Sequence, residues 1–432
     1  MKCKKKKKKQ WKKPWKLNKK ISNNYWLPLN IEARDETDSW FTNNFYNTNN
    51  SKFIQVENKI KTIDDFIKCR KIIIKPNIKQ RKILLLWFEV YNYIYNQTLL
   101  HCKKSDFKKM NWKKNRDKII KPSFYTKDWI IKSKIPVHTL DNAIHDVHKA
   151  FKSAMENKKK GNIKYFRLRY KKSTKNKQTI CLESQSFSNK NNTFCSSVLG
   201  KHINTSYSIK DVKKDSRLIY NKNTDEFILY VPYDSECKNI NPRNNFCSLD
   251  PGLRTFQTGY CSNGTIKIGI NVQEKLKNKL IKMKRLNKKR KKKNKLNKVY
   301  YNKEKKITNM IDELHWKTCN YLCKHYNNIF IGKISTKSIL SKKNKCLSAL
   351  QKKIFQRLSH FKFRERLKFK CQEYKTQYKE INESMTTMTC GNCGNQKKMK
   401  GEKFYECQKC NIIIDRDYNG ARNIFLKSIK HT

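Results

Sequence analysis

Apolar residues recur at helical spacing beyond Asn77, where Ile83, Leu84, Trp87, Val90, Tyr91 and Ile94 fall on one face. The pattern predicts a helix opened at Asn77, after a strand over 70–75 that Pro76 stops. A second helix is predicted after Pro136, with Leu140, Ile144, Val147 and Phe151 on one face. His145 and His148 lie at ligand spacing beside that face, but without a third ligand nearby they read as a solvated edge. Past Gly161 the period drops to two. Short alternating segments at 165–170, 179–182, 217–220 and 226–231 predict a β-rich unit. A strand, two helices and more strands suggest a small β-barrel over residues 69–243, interrupted by a helical insertion at about 77–160.

Between Asn245 and Ile270, two apolar runs flank Pro251-Gly252, and Ser262-Asn263-Gly264 sets a second turn. This predicts a three-stranded meander with Asp250 at the end of its first strand, where a metal ion has room to sit. The basic stretch 275–306 follows, with Leu276, Leu280, Ile281 and Leu286 near its start, and reads as one long helix with a basic face.

Charge changes the picture most. Lys and Arg number 101 against 34 Asp and Glu, a formal net charge of +67. Self-repulsion at that density opposes compaction unless a polyanion neutralises it, and counterion release makes nucleic acid the natural partner. A membrane is excluded as the alternative: the longest apolar run, 83–88, is far short of the ~20 residues a spanning helix needs. Residues 1–68 form a basic extension in which Trp11, Trp15 and Trp26 interleave with lysines, including the run Lys4 to Lys9. No apolar stretch of a secretion signal follows that run, so an intracellular, reducing location is expected.

Sixteen cysteines are present, and in a reducing compartment closely spaced pairs read first as metal ligands. Cys390-Gly-Asn-Cys393, thirteen residues, then Cys407-Gln-Lys-Cys410 is a four-thiolate zinc signature. With all four positions filled by protein, that metal is structural. Cys102, Cys181, Cys195, Cys319 and Cys323 read as small buried hydrophobes. After the cysteines comes Asp415-Arg416-Asp417-Tyr418-Asn419-Gly420-Ala421-Arg422-Asn423-Ile424, two carboxylates entering a helix whose small residues permit close packing on a sheet.

Together, Asp250-Pro-Gly-Leu-Arg254-Thr-Phe256, Thr389-Cys-Gly-Asn-Cys-Gly394, the second cysteine pair and the Asp415–Ile424 run resemble the C-terminal half of TnpB, the transposon-encoded relatives of type V CRISPR nucleases. The match is strong over 245–428 and looser upstream, where Lys75-Pro76 with Gln80 and the Pro136 helix are similar to the family's wedge and recognition regions. The resemblance implies RNA-guided cleavage of a DNA target. The fold it implies is α/β and α+β multidomain, with a RuvC/RNase H-like domain at 244–432 and a zinc ribbon inserted at 386–414. It also implies three acidic residues and Mg²⁺. By motif, Asp250 is the first acid and Asp417 the last. Where many TnpB proteins end a strand with Glu, this chain has Asn328-Ile-Phe-Ile-Gly332-Lys333. Glu383, just before the ribbon, is then the expected second acid, a shift that resembles the eukaryotic and viral branch called Fanzor. Three carboxylates suit the chemistry, because hard Mg²⁺ prefers oxygen ligands.

One rival is a DNA-binding accessory protein of a mobile element whose nuclease has decayed, supported by the missing acid near Gly332. It predicts loss of Asp250 or Asp417, and both are present. A zinc-ribbon RNA-binding protein without chemistry leaves the Asp-Pro-Gly meander unexplained. A transposase using a His-hydrophobic-His motif lacks its histidines here, so strand transfer would come from a separate transposase.

Overall fold

The computed structural model describes residues 65–104, 112–209, 211–238, 245–293, 298–341, 347–399 and 402–430. The basic extension with its tryptophans therefore lies almost wholly outside the described residues.

The N-terminal unit opens with β1 (Asp65–Lys75), stopped at Pro76 as its fixed φ and missing N–H require. Four helices follow: α1 (Ile78–Lys104), α2 (Trp112–Thr126), α3 (Asp128–Ser133) and α4 (Val137–Lys159). At the start of α1, Asn77 and Gln80 exchange a reciprocal pair of backbone-to-side-chain bonds (2.8 and 3.0 Å), satisfying two amides at its N-terminus. The chain then forms β2 (Lys177–Leu182), the short helix α5 (Ser196–Leu199), β3 (Asn204–Thr205), β4 (Ser216–Asn221) and β5 (Glu226–Glu236). The sheet order is β2-β4-β5-β1-β3, all antiparallel. Trp87, Tyr91, Ile94, Leu140 and Ile144 from the helices pack with Ile72, Leu218 and Leu229 of the sheet in one apolar core.

Two expectations are corrected here. The sheet is open and not a barrel, because its edges β2 and β3 do not pair. β3 is only two residues long, bonds to the end of β1 at Ile74 and Lys75, and offers no ladder on which β2 could close. Nor is 165–170 a strand. Its alternating side chains lie on the helices, Phe166 edge-on to Phe151, without ladder partners.

The C-terminal unit is a second five-stranded sheet. The meander is β6 (Phe246–Pro251), β7 (Gln257–Cys261) and β8 (Gly264–Ile268), turning at Ser262-Asn263. The basic stretch is two helices and not one, α6 (Val272–Lys293) and α7 (Lys298–His325). They pack on one another through Leu280, Met283, Ile307 and Ile311, whose burial stabilises the pair more than one exposed rod would allow. Next come β9 (Asn328–Gly332), α8 (Thr336–Leu340), α9 (Ala349–Leu358), α10 (His360–Glu373) and β10 (Gln377–Ile381). β9 runs parallel to β6, and β10 parallel to β9, giving the order β10-β9-β6-β7-β8. A hairpin of β11 (Phe404–Glu406) and β12 (Ile413–Asp415) carries the second cysteine pair, and α11 (Arg416–Lys430) closes the chain against β6 and β7.

The units meet around Glu373, whose buried carboxylate pairs with Lys68 (2.9 Å), Lys370 (2.6 Å) and Lys238 (3.7 Å). Among the described residues, no helix is long and apolar enough to cross a membrane.

Candidate active site and cysteine centre

Asp250 stands near the C-terminal end of β6, and its neighbours follow from register. Leu249 pairs with Ile331 on β9, so Asp250 lies level with Gly332; Gly332 pairs with Ile381 on β10, and the chain beyond Ile381 reaches Glu383. The Glu383 side chain folds back over Gly332. A Cβ on Gly332 would lie 2.7 Å from Glu383 Cγ and 2.8 Å from Cδ, and nearer still to Oε1. The space that any side chain on β9 would fill at this level is occupied by a carboxylate from the segment that follows the neighbouring strand. Glu383 Oε1 is buried and has no hydrogen-bond partner. Burial pushes the Glu383 carboxyl up to about 7, against the pull of the Arg364 guanidinium.

Asp417 arrives from the other side. Asp415 ends β12 and accepts a bond from the Asp417 amide (2.9 Å), capping α11, while its second oxygen pairs with Lys267 (2.9 Å). Of the two carboxylates in that run, one therefore serves the helix and its salt bridge, leaving Asp417 in the first turn toward Asp250. The helix comes close because Gly420 has no side chain: a Cβ there would sit 2.6 Å from Asp250 Oδ2. Ser248 Oγ donates to the Ala421 carbonyl (2.8 Å), and Phe246 stacks on Phe425 at 3.8 Å. Burial, then the charges of Glu383 and Asp417, hold the Asp250 carboxyl well above the usual range, with Arg416 opposing. With burial and the charges of Glu383 and Asp417 raising the proton affinity of Asp250, and an orphaned buried oxygen on Glu383, these carboxylates fit a hard divalent cation that would neutralise them.

Glu380, three residues before Glu383, goes elsewhere. It accepts from the Tyr378 hydroxyl (3.0 Å) and faces Arg364 at 3.7 Å. Arg364 thus lies between the two glutamates, a role no spacing in the chain announced.

The four cysteines form a tighter centre. Cys390, Cys393, Cys407 and Cys410 place their sulfurs all within 4.8 Å of one another, which no other group of three or more potential ligands does among the described residues. Sγ separations are 3.7 Å for Cys390–Cys410 and 3.4 Å for Cys393–Cys407. A tetrahedron with metal–sulfur bonds of about 2.3 Å has edges near ~3.8 Å, so these residues fit a bound Zn²⁺. Each pair ends in the same turn, with a left-handed residue after its second cysteine: Gly394 (φ 74°) and Asn411 (φ 54°). Tyr405 fills the small core beneath, its hydroxyl donating to the Asn395 carbonyl (3.0 Å).

Two asparagines one turn apart on α11 bind this ribbon to the acidic site. Asn419 accepts from the Gly391 amide (2.8 Å) and donates to the Thr389 carbonyl (2.7 Å). Asn423 donates to the Thr386 and Thr389 carbonyls, both at 2.7 Å. The ribbon leaves the sheet after Glu383 and returns at Asp417, so these bonds hold both ends of the excursion on one helix.

The family described as Cas12f1-like, TNB domain, matches residues 360–424, a span holding all four cysteines, Glu383 and Asp417. A TnpB-like protein of Acanthamoeba polyphaga mimivirus is 31% identical over 461 aligned residues, covering 96% of this chain and 88% of that one. A second TnpB-like protein from the same virus is also 31% identical, covering 96% and 86%. The chain belongs to the TnpB family. A solved structure, the cryo-EM structure of a Cas12f1–sgRNA–target DNA complex, aligns over 80% of this chain and 82% of that chain. Its TM-score is 0.50 at 14% identity, so the likeness is one of fold.

In this TnpB-family protein, the sequence motifs contained Asn419, Gly420 and Asn423 without indicating their tasks. The small-residue signal did point to a helix packed closely on a sheet. His145 is not simply solvated: its ring lies against Trp112 of α2, tilted by 41° with centroids 4.1 Å apart, and His148 lies 3.4 Å from Asn115. Cys102, Cys181, Cys319 and Cys323 are buried, and Cys195 is half-buried.

Proposed function

We propose that this protein is an RNA-guided, Mg²⁺-dependent DNA endonuclease of a transposon-associated element. Asp250, Glu383 and Asp417 would hold the metal; Cys390, Cys393, Cys407 and Cys410 would hold a structural Zn²⁺. The observation that carries the reading is the Glu383 carboxylate lying over Gly332, level with Asp250 on the adjacent strand. The sheet order β10-β9-β6-β7-β8, with two parallel strands beside an antiparallel meander, supports a RuvC-like domain at 244–432. Residues 69–243 then form the wedge-like unit with its helical insertion.

Bound Mg²⁺ would supply activation of the attacking water and stabilisation of the leaving oxygen in phosphodiester hydrolysis. The chain's own part is positional. β6 fixes Asp250, the segment after β10 brings Glu383 across β9, and the capped first turn of α11 presents Asp417. Burial and the charges of Glu383 and Asp417 favour the protonated form of Asp250, and burial favours the protonated form of Glu383, until a cation arrives. Arg364 holds Glu380 away from the cluster and steadies Glu383. The basic surface binds the guide RNA and the DNA strands through their phosphates.

The test is cleavage of a DNA target by the purified ribonucleoprotein in Mg²⁺, beside Asp250→Asn and Glu383→Gln, with DNA binding measured in EDTA. Wild-type cleavage, lost in both variants with binding retained, is expected. Binding without cleavage in the wild-type protein would favour a DNA-binding accessory role.

A further inference from the structure

The segment 165–172 lies between α4 and β2 without helical or ladder bonds, yet it is held in place. Asn96 of α1 clamps Lys171 from both sides, its amide donating to the Lys171 carbonyl (2.9 Å) and its oxygen accepting from the Lys171 N–H (2.7 Å). Lys171 Nζ sits over the rings of Tyr91 (4.6 Å) and Tyr95 (4.3 Å) and 3.6 Å from Asp146. Upstream, Phe166 packs on Phe151 and Leu168 on the apolar core. The inward positions 166, 168 and 171 thus anchor the segment, and the intervening side chains are forced outward. Tyr165 is 84% exposed, and Arg167 and Arg169 are exposed with no ion-pair partner among the described residues. From 164 to 175 there are six cations and no acidic residue.

We propose that this segment is a docking strip for an unpaired stretch of RNA, with a base stacked on Tyr165 and flanking phosphates on Arg167 and Arg169. The inference rests on the reading that the protein carries RNA. Alternate residues of an extended chain advance about 6.6 Å, comparable to the step between consecutive phosphates of one strand. An exposed aromatic ring beside that row is what an unpaired base recognises, since bases in a duplex have their faces covered. The anchoring matters because the strip is ordered before its ligand arrives, so little conformational entropy is lost on binding. The strip belongs to the N-terminal sheet unit, whose core is separate from that of the acidic cluster. The side chains of Tyr165, Arg167 and Arg169 are exposed, so they can be changed without disturbing the core.

The experiment is binding by the full chain in EDTA, so that cleavage plays no part. The probes are a single-stranded RNA, the same RNA fully paired with its complement, and single-stranded DNA of the same sequence. Tyr165→Ala should weaken the single-stranded RNA about tenfold, from the loss of one base stack, and the duplex far less, while Tyr165→Phe should bind as the wild type does. Arg167→Gln with Arg169→Gln should lower the slope of log affinity against log salt by about 1.4 on the single strand. Unchanged melting temperatures in all variants establish that the fold is intact. Equal losses on single-stranded and duplex RNA, no loss in Tyr165→Ala, or a larger loss on DNA than on RNA would overturn the proposal. A wild-type chain that binds no RNA would instead overturn the functional reading on which it rests.

Discussion

Gly332→Ala is the smallest change that tests the acidic site. The backbone at Gly332 does not require glycine, since its φ is not among the positive values in the chain. The added methyl group would lie 2.7 and 2.8 Å from Glu383 Cγ and Cδ. Carbon atoms rest at about 3.5–4.0 Å, so the glutamate must retreat by roughly 1 Å. Being long and only partly buried, it can do so by changing rotamer, at a cost to stability of about 1 kcal/mol. Catalysis has no such latitude: ligand distances around a metal hold to within about 0.2 Å, and a 1 Å misplacement costs about 10²-fold. Gly332→Ala should therefore melt within a few degrees of the wild type and bind DNA in EDTA unchanged, while single-turnover cleavage in Mg²⁺ falls about a hundredfold. A double variant, Gly332→Glu with Glu383→Gly, returns a carboxylate to the same space from β9 and should cleave better than Glu383→Gly alone. Wild-type cleavage by Gly332→Ala would refute the reasoning, because the displaced carboxylate could not then be a ligand.

Glu383→Gln should stabilise the metal-free protein at pH 8. A carboxyl raised from 4.5 to about 7 in the fold contributes stability below pH 4.5 that is lost as pH rises through 7, so at pH 8 ionised Glu383 opposes folding. The gain is bounded at about 3 kcal/mol and should vanish near pH 4.5; urea titrations in EDTA at the two pH values measure it. Cys390→Ser or Cys407→Ser should abolish stoichiometric zinc by metal analysis and unfold the ribbon, because structural zinc contributes folding energy directly. Asn419→Ala strands the buried Gly391 amide, leaves the Thr389 carbonyl to Asn423 alone, and should cost about 1–3 kcal/mol. Faster hydrogen exchange at 386–414, with β6 and β7 protected as before, is the expected readout.

The sequence by itself determined what depends on neighbours along the chain. The helix beyond Asn77, the strand stopped by Pro76, the meander around Pro251-Gly252 and the cysteine pairs are all local, because turn chemistry, helical period and ligand spacing act over a few residues. The fate of 165–170 was not legible that way. Alternation records which side chains are buried, and Phe166 and Leu168 are anchored against helices as strand residues would be against a sheet; only partners distant in the chain decide whether a ladder forms. The same limit applied to the supposed barrel, whose closure depended on the length of β3 and its place at the sheet edge. Tertiary structure alone decided the surroundings of Asp250. Parallel register sets Gly332 level with it, the missing side chain leaves a space, and the Glu383 carboxylate enters that space from just beyond a strand that begins 45 residues later. No local pattern encodes that meeting, because it is a property of two strands side by side.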